Sequence, residues 1–70
     1  MTPANDNKPR LMAPKEAAAA TSLSRTLLTL LAAEGQFPAP VRLTAGRRTA
    51  YVRAEVEAWI DARIAARAAA

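Results

Sequence analysis

Three features of the sequence predict a small α+β fold, mainly helical. Two short helical segments flank a tight turn. An arginine-bearing stretch alternates as a β-hairpin would, and the last segment carries one apolar stripe at helical spacing. Seventy residues hold at most one domain with a modest core. The large apolar set is short, and most of the 51% hydrophobic content is alanine.

The elements follow in order. Residues 1–10 are polar with two prolines and are expected as a disordered arm. The first helix is predicted from Pro14 to about Ala20 or Thr21. Proline suits the first helical turn because its missing N–H needs no partner there. Glu16 in the same turn suits the positive end of the helix dipole. Thr21-Ser22-Leu23 reads as a turn, and Ser24 as an N-cap whose hydroxyl accepts a free backbone N–H. The second helix is predicted over about residues 25–34, with Gly35 ending it. Two short helices around a tight turn make a helix-turn-helix candidate.

Phe37-Pro38-Ala39-Pro40 forbids helix and gives a rigid extended link. Val41-Arg42-Leu43 alternates as a half-buried strand, Thr44-Ala45-Gly46-Arg47-Arg48 is a turn, and Thr49-Ala50-Tyr51-Val52 favours a returning strand. The final helix is expected from about Ala54 into the alanine tail. Val56, Trp59, Ile60 and Ile64 form its apolar stripe. It has no good N-cap, so fraying is expected at both ends. Together these elements predict a small winged helix-turn-helix: a helix-turn-helix, a β-hairpin wing and a C-terminal helix. The domain is placed at residues 11–66, with 67–70 as a frayed tail.

Composition narrows the function. The chain has no cysteine and no histidine, which removes disulfides, thiolate metal sites and histidine acid–base chemistry. Glu55, Glu57 and Asp61 read as the wet side of an amphipathic helix rather than a catalytic carboxylate pair. Trp59 reads as a core anchor rather than a base-stacking platform, because it lies in the apolar stripe. No enzyme activity, cofactor, metal or small-molecule substrate is expected. No segment has the length of a transmembrane helix, and the first residues lack the pattern of a signal peptide. The expected location is cytoplasmic, with no membrane partner.

The charge distribution says more than the total of +4. Residues 1–34 sum to +1 and residues 54–70 to −1. Residues 35–53 carry Arg42, Arg47, Arg48 and Arg53 with no acid. A localised basic segment is a footprint for a polyanion. On the second helix, Leu27, Leu28 and Leu31 share a core-facing arc, and Arg25, Thr26, Thr29 and Ala33 share the opposite one. That outer arc is short, polar and cationic at its start, as a helix offered to a major groove must be. Arg25 suits a bidentate contact to guanine. Thr26 or Thr29 suits a thymine methyl or a phosphate. Arg42, Arg47 and Arg48, with Thr44 beside them, are placed on backbone or minor-groove contacts of the wing. The plain alternative is a solvated helix face and a solubilising loop. Leu30 sits at the margin of the outer arc. With Leu27 it marks a candidate contact to another protein chain or to a thymine methyl.

Three stretches carry a resemblance: Leu23-Ser24-Arg25-Thr26, the run from Glu34 through Gly35-Gln36-Phe37-Pro38-Ala39-Pro40 to Leu43, and Glu55-Val56-Glu57-Ala58-Trp59. From Leu11 to Ile64 the chain resembles the AlpA-type phage regulatory proteins and related excisionases, which share a compact MerR-like winged helix-turn-helix. The resemblance implies DNA contacts from Ser24, Arg25, Thr26, Thr29, Arg42 and Arg47. The chain departs from the family pattern at Thr29, usually aromatic, and at Leu30, usually basic. It also departs at Ser22, usually glycine, at Ala54, usually serine, and in a wing tip one residue longer. Leu30 points to a face that partly serves contacts between protomers.

The expected function is specific double-stranded DNA binding on behalf of a mobile element. In the leading form the protein is an excisionase, or recombination directionality factor, that bends DNA and steers a tyrosine- or serine-type integrase. In another it regulates transcription of phage or element genes. A third, of a different class, is an anti-repressor that docks on another protein through Leu27 and Leu30. Attachment-site or promoter repeats are the expected DNA, bound cooperatively by several copies, since so small a module makes a limited interface.

Overall fold

The chain runs strand, helix, helix, strand, strand, helix in a computed structural model that describes residues 8–69. The elements are β1 (Leu11–Met12), α1 (Pro14–Thr21), α2 (Arg25–Ala33), β2 (Val41–Arg42), β3 (Thr49–Val52) and α3 (Arg53–Ala69). The three strands form an antiparallel sheet in the order β1-β3-β2. Leu11 pairs with Val52 and Met12 with Tyr51 on one side. Val41 pairs with Ala50 and Arg42 with Thr49 on the other. The architecture is the predicted small winged helix-turn-helix, with one strand added. β1 is too short to show any alternation, and its partner lies some forty residues away.

Local chemistry sets the boundaries. Pro14 opens α1. At its end Thr21 Oγ1 donates to the Ala17 carbonyl at 2.9 Å, and the Leu23 N–H donates to Thr21 Oγ1 at 3.3 Å. Between them Ser22 takes a left-handed backbone, φ 63°. The α2 C-terminus closes with two reverse bonds: Gln36 N–H to the Leu31 carbonyl at 2.8 Å and Gly35 N–H to Ala32 at 3.1 Å. Gly35 supplies the positive φ of 77° that this closure needs.

The core lies where α1, α2 and α3 meet one face of the sheet. Met12, Ala17, Leu28, Phe37, Tyr51 and Val56 are buried, with Leu23, Leu31, Trp59 and Ile60 packed around them. Phe37 sits between two aromatic rings. It meets Tyr51 edge-on at 5.4 Å and Trp59 edge-on at 5.0 Å. The Trp59 indole N–H donates to the Gln36 carbonyl at 2.8 Å, which gives its polar atom a partner in the core-anchor role.

Three local expectations change. Val41-Arg42-Leu43 is exposed throughout rather than half-buried: the core cluster draws on β1 and β3 and includes no residue of β2. Ile64 is 52% exposed, since α3 runs past the body of the domain after Ile60. Leu27 is only half-buried and lies outside the core cluster.

α3 begins at Arg53, directly after β3 with no connecting loop, and stays helical through Ala69, into the segment expected to fray. Among the described residues no side chain caps it; instead the Arg10 carbonyl accepts the Arg53 backbone N–H at 2.8 Å, and the Arg53 Nε donates to the Pro9 carbonyl at 2.6 Å. The arm expected as disordered over 1–10 lies mostly outside the described residues. Its last residues carry these two acceptors.

Candidate nucleic-acid interface

Ser24 fixes where α2 begins. The Leu27 N–H donates to Ser24 Oγ at 3.0 Å, so this hydroxyl caps the helix. The cap leaves Arg25 as the first helical residue, exposed, at the positive end of the helix. Thr26, Thr29 and Ala33 are exposed on the same outer side, and Leu28 is buried opposite. The amphipathic division of α2 read from the sequence is therefore present, with Leu27 as its margin.

The hairpin that carries the wing closes through the Leu43 N–H, which donates to the Arg48 carbonyl at 2.9 Å. Its tip organises itself. The Gly46 N–H donates to Thr44 Oγ1 at 3.2 Å, and Arg42 Nη1 reaches the Gly46 carbonyl at 3.4 Å. Thr44 and Arg42 thus shape the tip, and Arg47 and Arg48 stand exposed upon it.

Two grooves lie between these elements. The larger, about 800 Å³, is bordered by Arg25, Thr26 and Thr29 of α2, by Ala39 and Pro40 of the link, and by Thr49. The smaller, about 370 Å³, is bordered by Pro14, Arg25, Leu43, Arg47, Arg48 and Thr49. Arg25 borders both. It is the side chain at which the helix face and the wing meet, and it shares the smaller groove with two wing arginines. Neither Leu27 nor Leu30 borders either groove, and Leu30 is 51% exposed.

One arginine of the basic segment does not join this surface. Arg53 Nη2 lies 2.6 Å from Glu16 Oε2, and its side chain is 15% exposed. The hydrogen bond from Arg53, helped by its charge, holds the Glu16 carboxyl below its usual pKa. The sequence counted Arg53 with the wing because the two are close along the chain. The strand between them carries it to the opposite end of β3. Sequence reasoning also missed the apolar border made by Ala39 and Pro40, which no charge or motif signal marks. Among the described residues no three His, Cys, Asp or Glu side chains gather as metal ligands would. No described helix is long and apolar enough to cross a membrane.

A capped helix and an arginine-tipped hairpin, joined at Arg25 on a three-helix, three-strand fold, define a small winged helix-turn-helix protein. Residues 10–64 match the family described as Prophage CP4-57 regulatory protein (AlpA). That match spans well over half of the chain, which belongs to this family of phage regulatory proteins. No curated protein and no solved structure matches the chain.

Proposed function

We propose that this protein binds specific double-stranded DNA of a mobile element, with α2 entering the major groove and the wing on the adjoining backbone or minor groove. One observation carries the reading: Arg25 borders both grooves and shares the smaller one with Arg47 and Arg48 of the wing. Arg25, Thr26 and Thr29 then face bases, and Arg42, Arg47 and Arg48 face phosphates. Ser24 and Thr44 contribute by fixing the shapes of helix and tip. The family's regulatory description agrees with DNA binding of this kind.

The act that follows binding is architectural. In this reading the protein is an excisionase that bends attachment-site DNA and steers an integrase toward excision, working at the nucleoid in the cytoplasm. Several copies on adjacent repeats supply the affinity that one small interface lacks. The second reading, a transcription regulator of element genes, is favoured by the family's description as a regulatory protein.

Mobility-shift titration on attachment-site and promoter duplexes, at two salt concentrations, tests the shared claim. Binding that weakens steeply with salt and falls in Arg25→Ala and Arg47→Ala is expected. Affinity unchanged by both substitutions overturns the groove arrangement. An in vitro excision assay with the element's integrase separates the two readings. Recombination unaffected by the protein leaves the transcriptional role.

A further inference from the structure

The outer face of α2 is poor in polar groups that can read a base edge. Of its nine residues, Arg25, Thr26 and Thr29 alone have polar side chains, and there is no amide or acid among them. The pairings that read adenine and cytosine use Asn or Gln and Asp or Glu, and α2 has none of these. Thr29 also directs its hydroxyl inward along the helix: Oγ1 donates to the Arg25 carbonyl at 3.1 Å. With its proton committed there, Thr29 has no free donor, and its γ-methyl is the group it can offer a thymine. Leu30 and Ala33 are exposed on the same outer side and add only methyl groups. The adjoining groove continues this character through Ala32, Ala39 and Pro40.

Arg25 stands at the head of this face, bordering the larger groove with Thr29 and Ala33, and shares the smaller groove with Arg47 and Arg48. The charge favours a polyanion as its occupant, and the methyl groups favour an apolar feature of that polyanion. Duplex DNA has one such feature in its major groove, the C5-methyl of thymine. We infer that Thr29, Leu30 and Ala33 read thymine through its C5-methyl group, with Arg25 as the polar reader at the start of the helix. This rests on the DNA-binding reading above. Of the two contacts the sequence offered Thr29, a thymine methyl or a phosphate, it selects the methyl.

The test uses the intact protein and a duplex selected by it from a randomised library. Each thymine of the selected site is then replaced singly by uracil, which keeps every pairing group and removes only the C5-methyl. A loss of about fourfold in affinity is expected at one to three positions, the effect of one buried methyl group. Replacing such a thymine–adenine pair by 5-methylcytosine–guanine retains more affinity than replacing it by cytosine–guanine. Thr29→Ser keeps the hydroxyl and its internal bond, and is expected to abolish the thymine-to-uracil difference at one position. If uracil is tolerated throughout a site that the protein still prefers over random duplex, methyl reading is overturned and DNA binding stands. If no duplex is enriched at all, the underlying DNA-binding reading falls with it.

Discussion

Arg53 Nη2 and Glu16 Oε2 lie 2.6 Å apart, and this contact joins the start of α3 to the first turn of α1. The same guanidinium holds the Pro9 carbonyl, so one side chain ties three segments together. Arg53→Ala is expected to lower the denaturant midpoint, since one substitution removes both bonds. Chemical denaturation measures it. The partner gives a pH signature. Glu16 has its folded pKa lowered by Arg53. Its contribution is complete above the unfolded carboxyl value, about 4.3, and is lost as pH falls through the folded value. Glu16→Gln is therefore expected to lower stability at neutral pH and to flatten the loss on acidification below about pH 4.

Ser24 separates capping from contact. Its hydroxyl accepts the Leu27 N–H, so Ser24→Ala is expected to cost about 1 kcal/mol in thermal unfolding. Ser24→Asp keeps a capping acceptor and places a negative charge beside Arg25. Its stability is expected to stay near wild type while DNA affinity falls several-fold. Equal loss of both properties contradicts the assignment of Ser24 as a cap at a DNA-facing helix start.

Ser22 holds a left-handed backbone at φ 63°, where a side chain is unfavourable. Ser22→Gly is expected to stabilise the fold by up to about 1 kcal/mol, the relief of strain being partly offset by glycine's greater chain entropy. A denaturant midpoint shifted upward, with an unchanged slope, is the expected result.

The wing arginines predict a salt dependence. If Arg42, Arg47 and Arg48 each neutralise one phosphate, the slope of log K against log salt is roughly −3. Arg47→Ala and Arg48→Ala are each expected to reduce that slope by about one, with little change in sequence preference. Arg25→Ala is expected to cost about 1–3 kcal/mol and to relax preference as well. A slope indifferent to all of them contradicts the arginine rim.

Much of the scaffold was legible in the sequence because its signals are local. Pro14, Ser24 and Gly35 each act within a few residues of where they stand, and α1 and α2 begin and end as they dictate. The hairpin was legible for the same reason. What escaped depends on contacts between distant segments. β1 is a pair of residues that becomes a strand only because β3 lies beside it. The exposure of Val41 and Leu43 follows from the core forming over β1 and β3 and leaving β2 out, which alternation does not reveal. Arg53 shares its charge with the wing arginines and is told apart from them only by the partners it finds.

β3 gives this arrangement a mechanical consequence. Its first residue, Thr49, borders both grooves, and its last, Val52, pairs with Leu11. α3 starts at the next residue without slack. The wing at one end of this strand and the docked N-terminal segment at the other therefore share one mount. A fusion partner or cleavage near Lys8 is expected to disturb the hairpin that carries Arg47 and Arg48 without altering either residue, whereas an addition after Ala70 acts on the far end of a helix that has already left the domain.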